Sequence, residues 1–576
     1  MNTARQKRPK EQRLGQYFTP VPLARKVVSL VDAKASDRIL EPSFGNGAFL
    51  TALLEAIAPE NASEWAERHL DGCEIDPVAY GEAAANWMRM TGQRLPHTLA
   101  CADFFRWMPQ GCPEGSALDR REYLRTLENS TKYDLVIGNP PFGAAFDTEI
   151  AARLDGVLGF RDFGKIKRES YAYFLVKCID LLAPRGRLAF LCSDTILSIG
   201  SMAGLRRLMN HLGSVQVHRL EDGCFGEFTR RMVLLIFHNG TPPALTVEGK
   251  PIPLEAVEGT PNHSWRTSTS LAQFFKCPSL GEKMVATAGM TIGDNNRFLR
   301  KIRTDGTILE PLRFSFEEAP VSVEREEKLA RGGRLSASRR RAVSEAEKDG
   351  ATVRVLRTDV LDPPRVVQLP DPDYAPYNKA VSACLWSPPC WVVFWKDDGD
   401  ALLTAKRNGP WYLRGVGGRR FFMREGLTWS LSASRMYMRY LPPGMVLDCG
   451  APCAFLRPGV PSEELFFILG WCLTSLANRL LKGVLNHTRN IQAKDFERLP
   501  YPSWVPSGER GRAVSLVKKL LKSAQAGLTP PTDFPELDRI YSPGWTPYAG
   551  SNDADAGKCA RVFRRCRAPK REIDGY

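Results

Sequence analysis

The sequence has few residues of the kinds that hold small or secreted proteins together. Its 14 cysteines and seven histidines are spread over 576 residues, and no two cysteines form a C-x-x-C pair. Such pairs are typical of structural zinc sites and disulfide-rich domains, so we expect neither of these and no metal site. No run of 18 apolar residues occurs, and no apolar segment follows the charged N-terminal residues. These absences predict a cytoplasmic protein without a membrane-spanning helix or a cleaved signal.

The charged residues are divided unequally between the two signs. Lys and Arg number 79 and Asp and Glu number 64, which gives a formal net charge of +15. A basic balance of this size favours an anionic partner, and nucleic acid is the leading candidate. The length predicts roughly three or four domain-sized units, or fewer if one of them contains a large sheet.

The most informative stretch is residues 134–143, where an aliphatic run leads into Asn139-Pro140-Pro141-Phe142. We interpret it as a buried strand that ends in an active-site loop. The two prolines fix φ and remove two N–H donors, so the neighbouring carbonyls can face a ligand. Asn139 adds a side-chain oxygen, and Phe142 adds a flat aromatic face.

This set of groups suits the methylation of an exocyclic amine on a nucleobase. The amine of adenine or cytosine is a poor nucleophile, because its lone pair is delocalised into the ring. An amide oxygen and a proline carbonyl can accept both of its N–H bonds, and carbonyl dipoles and an aromatic face stabilise the positive charge that develops on nitrogen. The tetrapeptide alone leaves alternatives open, since related ones occur in enzymes that methylate guanine in RNA or glutamine in proteins, and Pro-Pro is also a common rigid turn.

Three acidic residues at predicted strand ends precede this loop, namely Glu41, Glu74 and Asp103, and a glycine turn follows the first of them. The stretch from Ile39 predicts a strand, a Gly45-x-Gly47 turn and a helix through Ile57. A dinucleotide site would need a third glycine, where this chain has Leu50. Glu74 follows the next predicted strand, at a position where an acid can accept hydrogen bonds from both hydroxyls of a ribose.

The third acidic strand end is Asp103, which offers a carboxylate to an adenine amino group with Phe104 beside it. Nearer the N-terminus, Thr19 is predicted to cap a helix whose first residue is Pro20. Each of these features alone is common in proteins. Their order along one chain is not.

As an ordered set, Thr19-Pro20, Glu41 to Gly47, Glu74, Asp103 and Asn139 to Phe142 resemble the motifs of the gamma-class N6-adenine DNA methyltransferases, which include TaqI-like, type IIG and BREX-type methylases. The resemblance covers about residues 14–240. It implies an α/β fold of the class I methyltransferase type, with a doubly wound, mostly parallel sheet, and S-adenosyl-L-methionine as the cofactor. It also implies that a mixed α/β target-recognition domain follows the catalytic domain.

The same resemblance assigns roles to individual residues. It places the cofactor ribose at Glu74, the cofactor adenine at Asp103 and Phe104, and the methionine half of the cofactor near Thr19, Glu41, Gly45 and Gly47. It makes Asn139, Pro140, Pro141 and Phe142 the catalytic loop, with Asn139 and the Pro140 carbonyl orienting the target amine. A flipped base would stack on Phe142 and on Phe225, with Phe228 as the next candidate; a place in the protein core is the alternative for both Phe225 and Phe228.

Composition and motifs together predict four segments. These are a basic N-terminal tail at 1–13, the catalytic domain at 14–245, the recognition domain at 265–505, and a C-terminal helix with a basic tail at 506–576. Three patches of the recognition domain, at 289–298, 424–430 and 486–500, resemble those of type IIG and BREX-type methylases. A charged insert is expected at 324–348, and a short helix at 513–521.

The expected function is site-specific methylation of adenine N6 in double-stranded DNA, in a restriction-modification or phage-defence setting. The protein is expected in the cytoplasm, associated with the nucleoid, with no membrane partner and with separate restriction or defence subunits as possible partners. The alternatives are an RNA or protein-glutamine methyltransferase and a catalytically silent DNA-binding homologue. Cytosine N4 is another possible target, although such enzymes more often carry Ser in place of Asn139.

Overall fold

The computed structural model of the chain describes residues 18–107, 130–143, 148–158, 169–221, 231–292, 295–320, 352–399 and 418–542, with isolated positions between these ranges at 128, 163, 164, 166, 350, 413 and 414. The predicted basic tails, the charged insert at 324–348, Phe225 and Phe228 lie outside the described residues. The chain forms two compact units, residues 1–273 and 274–576. The boundary between them falls within the segment predicted to begin the recognition domain, and the four predicted segments remain predictions.

The described residues of the first unit form nine strands. They are β1 (Ile39–Glu41), β2 (Leu70–Glu74), β3 (Leu99–Cys101), β4 (Tyr133–Gly138), β5 (Leu182–Ser193), β6 (Gly213–Arg219), β7 (Met232–Asn239), β8 (Ala244–Val247) and β9 (Lys250–Pro251). They form one sheet in the order β3-β2-β1-β4-β5-β7-β6-β8-β9. Strands β1 to β5 pair in parallel, and β7 is antiparallel to β5 and β6. The predicted α/β fold with a mostly parallel sheet is confirmed.

Helices connect most of these strands. The α-helices of the first unit are α1 (Val21–Leu30), α2 (Ala48–Ile57), α3 (Ala62–His69), α4 (Pro77–Thr91), α5 (Thr148–Val157), α6 (Ser170–Leu181), α7 (Ala203–Leu212), α8 (Leu254–Glu258) and α9 (Thr269–Ala272). Strands β4 and β5 lie in the middle of the sheet and contain apolar runs. A strand that is covered on both faces has no solvent-facing side chains, so apolar residues are favoured at successive positions. Leu135, Val136 and Ile137 are accordingly fully buried.

The second unit contains smaller sheets and a helical region. Its strands are β10 (Met284–Thr287), β11 (Thr291–Ile292), β12 (Leu299–Lys301), β13 (Thr307–Pro320), β14 (Thr352–Gln368), β15 (Tyr374–Asn378), β16 (Trp391–Phe394), β17 (Leu413–Arg414), β18 (Gly426–Thr428), β19 (Arg439–Leu441), β20 (Val446–Leu447) and β21 (Cys453–Leu456). They form the sheets β10-β21-β18-β19, β12-β16-β15-β20, β11-β17 and β13-β14. Between β12 and β13, Arg300 and Glu310 form a buried ion pair at 2.6 Å.

The helices of the second unit are α10 (Asn295–Phe298), α11 (Glu463–Leu473), α12 (Ser475–Asn478), α13 (Ala493–Glu497), α14 (Ser507–Gln525) and α15 (Pro535–Tyr541), with a π-helical segment at Arg479–Leu485. The predicted short helix at 513–521 is wrong in length, because α14 has 19 residues. Its buried residues include Ala513, Val517 and Leu521, which recur at helical spacing on one face among many charged residues.

The predicted cap of the first helix is also wrong. Helix α1 begins at Val21, so Pro20 occupies the N-cap position, and no side chain caps this helix. A proline at the N-cap keeps the extended backbone that entry into a helix requires, and its φ of -62° and ψ of 134° fit that position. Thr19 therefore precedes the cap and is buried.

Within the part of the chain that the structure describes, no single helix has both the length and the hydropathy of a membrane span. Helix α11 and the segment Ser475–Leu485 meet these criteria only when they are taken together, and they are bent by 70° relative to each other.

Candidate functional site

The loops that follow β1 and β4 meet where the strand order of the sheet reverses. Strands β1 and β4 are neighbours, with Ile39 opposite Leu135 and Leu40 opposite Val136. The Ser43 hydroxyl donates a hydrogen bond to the Asn139 carbonyl at 3.4 Å, which connects the two loops. Open α/β sheets bind ligands at the carboxyl ends of their strands, at this kind of reversal.

The glycine turn after β1 adopts a conformation that glycine favours. Gly45 and Gly47 have φ values of +55° and +85°, in the left-handed region. The Gly45 N–H donates a hydrogen bond to Glu74 Oε2 at 2.9 Å. A Cβ atom on Gly45 would lie 3.2 Å from Cδ1 of Phe18. The turn is therefore held between the Phe18 ring on one side and the Glu74 carboxylate on the other.

Two carboxyl groups lie close together beneath this turn. Glu41 ends β1 and is only 1 % exposed, and among the described residues nothing donates a hydrogen bond to its Oε2 atom. Burial, followed by the negative charge of Glu74, raises the pKa of Glu41 well above its usual range. The Glu74 carboxylate accepts hydrogen bonds from the backbone N–H groups of Gly45 and Asp76. A positively charged group beside Glu41 would supply the missing donor and stabilise the carboxylate.

Asp76, two residues after Glu74, caps the helix that follows β2. Asp76 is the N-cap residue of α4, and its Oδ1 atom accepts a hydrogen bond from the Val78 N–H at 3.2 Å. Asp76 therefore caps the helix, and Glu74 is the acid of this strand end whose carboxylate contacts the glycine turn.

The turn after β3 presents Asp103 and turns the Phe104 ring inward. Asp103 is partly exposed, and its Oδ1 atom accepts a hydrogen bond from the Phe105 N–H at 3.0 Å. The Phe104 ring is 2 % exposed and stacks on Phe174 with ring centroids 4.8 Å apart. The Phe104 ring is therefore buried, whereas Phe105 and Trp107 of the same turn are partly exposed, and the predicted contact of Phe104 with the cofactor adenine stays a prediction.

The loop after β4 is fixed by groups that flank it. Asn139 is partly buried directly after Gly138, and the Pro141 carbonyl accepts a hydrogen bond from the Ser170 hydroxyl at the start of α6. The Phe142 ring is 5 % exposed and lies against Tyr171, with centroids 5.8 Å apart and an interplanar angle of 51°. This arrangement fixes the positions of the loop carbonyls.

The structure thus brings Glu41, Gly45 and Glu74 together and places Asn139 at the end of the neighbouring strand. A Cβ atom on Gly138 would lie 3.9 Å from the Glu41 Cγ atom, so the Glu41 side chain extends toward β4. Contacts of Thr19 with this cluster are not among those described.

Sequence reasoning missed the residues that hold the loops, which are Ser43, Ser170 and Phe18. Their only signals were position: Ser43 stands between Pro42 and Phe44 in the glycine turn, and Ser170 opens a helix.

Comparison with known proteins gives matches to the first unit and to most of the chain. Residues 4–242 match the family model described as N-6 DNA Methylase. The methylase subunit of the type I restriction enzyme EcoEI from Escherichia coli is 24% identical over 234 residues, which are 40% of this chain and 43% of the relative. The type II methyltransferase M.TthHB8I from Thermus thermophilus is 27% identical over 240 residues, which are 40% of this chain and 47% of the relative. The chain spans less than half the length of these two curated relatives.

Two solved structures share the fold over most of the chain. A nuclease-deletion mutant of the type ISP restriction-modification enzyme LlaGI, in complex with a DNA substrate mimic, is similar with a TM-score of 0.54 and 13% identity. That similarity covers 88% of this chain and 47% of the LlaGI chain. A DrdV–DNA complex is similar with a TM-score of 0.52 and 11% identity, and the similarity covers 89% of this chain and 57% of the other. At these identities the similarity shows the fold alone.

Proposed function

We propose that this chain, whose residues 4–242 belong to the N-6 DNA methylase family, is a site-specific DNA methyltransferase that transfers a methyl group from S-adenosyl-L-methionine to N6 of an adenine. The observation that carries the proposal is the meeting of two loops. One is the glycine turn after β1, in which the Gly45 N–H donates to Glu74, and the other is the loop that begins at Asn139. Both lie where the strand order reverses, between β1 and β4.

The residues of the first loop fit the cofactor. Glu41 would bind its ammonium group, which would supply the donor that Oε2 lacks within the described residues. Glu74 would accept hydrogen bonds from the ribose hydroxyls, and Asp103 would accept one from the adenine amino group. Gly45 and Gly47 would let the backbone approach the methionine half, near Thr19. The bound cofactor supplies a sulfonium methyl group as the electrophile.

The residues of the second loop fit the target amine. The Asn139 side-chain oxygen and the Pro140 carbonyl would accept the two N–H bonds, so that the nitrogen lone pair faces the methyl donor. Carbonyl dipoles that are already oriented stabilise the positive charge that develops on nitrogen, without reorganisation at the moment of reaction. The hydroxyls of Ser43 and Ser170 keep the carbonyls of Asn139 and Pro141 in place.

The amine of a paired adenine is engaged inside the duplex, so the base must leave the helix to reach this loop. Flipping costs a few kcal/mol, which contacts with the flipped base must offset. We propose that Phe142 and Phe225 form the two walls against which the base stacks, with Pro141 completing the catalytic loop.

The second unit would provide recognition of double-stranded DNA. The net charge of +15 favours contact with phosphates, and both LlaGI and DrdV were solved with DNA. We place the protein in a restriction-modification or phage-defence setting, as a TaqI-like, type IIG or BREX-type methylase. In that setting it would act in the cytoplasm on the nucleoid, with separate restriction or defence subunits as partners.

The proposal is tested with the variant Asn139→Ala in the full chain. We expect loss of adenine methylation, read by modification-sensitive sequencing of DNA from expressing cells, while binding of S-adenosylhomocysteine is retained. The matched control is Asn239→Ala, which removes an amide that bonds the Ala183 carbonyl at the opposite edge of the sheet. Full activity of Asn139→Ala would contradict the proposed role of the amide.

A second measurement tests the substrate. The wild-type protein should bind duplex DNA with an affinity that decreases linearly with salt on logarithmic axes, because phosphate contacts release counterions. Binding of S-adenosylhomocysteine without methylated adenine in DNA would instead support an RNA or protein-glutamine methyltransferase. DNA binding without cofactor binding would support a catalytically silent homologue.

A further inference from the structure

A lysine is buried beneath the turn that presents Asp103. Lys177 lies on α6 and is 2 % exposed. Its ammonium group donates hydrogen bonds to the carbonyl oxygens of Phe104 and Trp107, both at 2.5 Å. The same nitrogen lies 4.5 Å from the centroid of the Phe104 ring. One side chain therefore contacts the turn at two carbonyls and one aromatic face.

The segment that Lys177 contacts is a hydrogen-bonded turn. The N–H groups of Arg106 and Trp107 both donate to the Asp103 carbonyl, at 2.9 and 2.8 Å. Lys177 donates to the carbonyls of Phe104 and Trp107, which lie at the carboxyl end of this turn. A cation at this end also opposes the negative pole of the peptide dipoles.

This arrangement has a cost that packing alone does not explain. Burial lowers the pKa of Lys177 to about 8, and within the described residues no carboxylate lies within ion-pair distance of its ammonium group. Phe174 and its neighbours on α6 are apolar and buried. A methionine at this position would fill a similar volume without the cost of burying a charge.

We propose that Lys177 is a positioning residue that fixes the Asp103–Trp107 turn and so sets the affinity of the first unit for the adenine end of its cofactor. The inference rests on the proposed function, because it assumes that Asp103 faces that adenine. Lys177 binds two carbonyls of the turn, and the Asp103 carboxylate accepts a hydrogen bond from the Phe105 N–H within the same turn.

The test compares Lys177→Met with Lys132→Met in the full chain. Lys132 is a matched control, since it also donates to a carbonyl, that of Asp180, but at the start of β4. We expect Lys177→Met to weaken binding of S-adenosylhomocysteine by about tenfold, because a displaced turn would lose the hydrogen bond between the ligand adenine and the Asp103 carboxylate, and to raise KM for S-adenosyl-L-methionine equally. The value of kcat should be unchanged at saturation, and Lys132→Met should leave all three values unchanged.

A second ligand locates the effect. The compound 5′-methylthioadenosine has the adenosine part of the cofactor without its amino acid, so Lys177→Met should weaken its binding by the same factor. A folded Lys177→Met protein that binds both ligands like the wild type would overturn the inference. If this variant does not fold, Lys177→Gln takes its place, because its amide nitrogen ends one atom short of the lysine nitrogen and cannot make both hydrogen bonds; wild-type affinity in that variant overturns the inference too. Failure of the wild-type protein to bind either ligand would refute the proposed function instead.

Discussion

Glu41 should make binding of cofactor-like ligands depend on pH. Its carboxyl group is 1 % exposed, and burial together with the charge of Glu74 raises its pKa well above the usual range. Below this raised pKa the group holds a proton in the free protein. A ligand ammonium group pairs only with the carboxylate form, so binding must release that proton.

The size of the effect follows from this exchange. Below the raised pKa of Glu41, affinity for S-adenosylhomocysteine should fall tenfold for each pH unit, which is 1.36 kcal/mol, and above that pKa it should be constant. The variant Glu41→Gln loses the proton release and one hydrogen bond between charged groups, worth about 1.5–3 kcal/mol. Above the raised pKa of Glu41, the affinity of this variant should therefore be lower than that of the wild type by about 10- to 150-fold.

The assay is isothermal titration calorimetry across a pH series, with the full chain and two ligands. Binding of 5′-methylthioadenosine, which lacks the ammonium group, should be independent of Glu41 ionisation in the wild type and in Glu41→Gln. Glu55→Gln is the matched control, because Glu55 lies in the same unit but is paired with Arg25 at the surface. The reasoning is refuted if binding of S-adenosylhomocysteine to the wild type lacks the acidic decline, or if Glu41→Gln retains it.

Three further outcomes are expected in denaturation experiments on the full chain. Gly45→Ala should destabilise the first unit by about 1–2 kcal/mol, because φ is +55° there. Gly81→Ala, with open space around its Cβ in α4, should instead stabilise this unit by about 0.5–1 kcal/mol; equal changes in the free energy of unfolding would contradict this. Burial lowers the pKa of Lys177 to about 8 from its usual 10.5, so unfolding takes up a proton between these two pH values. The free energy of unfolding should therefore rise by up to roughly 3 kcal/mol from pH 8 to 10.5 in the wild type, but not in Lys177→Met. Arg300→Met should cost the second unit about 3–5 kcal/mol by leaving Glu310 buried and unpaired, and adding Glu310→Leu should restore most of it; a larger loss in the double variant would argue against this account.

The fold class was predicted from short stretches of sequence. The apolar run at Leu135–Ile137 predicted a buried strand, and the order from Glu41 through Glu74 and Asp103 to Asn139 indicated an N6-adenine DNA methyltransferase; residues 4–242 match the N-6 DNA methylase model. The roles assigned to these residues remain predictions, and the role of Phe225 falls outside the described residues.

Other features depended on packing that a sequence does not display. Phe104, Phe105 and Trp107 look equivalent in the sequence, because the direction of a ring around one helical turn is set by what lies beneath it. Here Phe174 and Lys177 lie there, and they hold the Phe104 ring inside. Lys177 gave no signal, since its partner carbonyls are 73 and 70 residues away along the chain.

The pairing of β1 with β4 has a consequence for how such a protein can diversify. Neighbouring strands are about 4.8 Å apart because backbone hydrogen bonds fix their spacing, so the separation between Glu41 and Asn139 is a property of the sheet and not of any loop. Under the proposed function, substitutions in the second unit would alter which DNA sequence is chosen, while the distance over which the methyl group travels would stay constant. A new DNA specificity would then require no change in the spacing of Glu41 and Asn139.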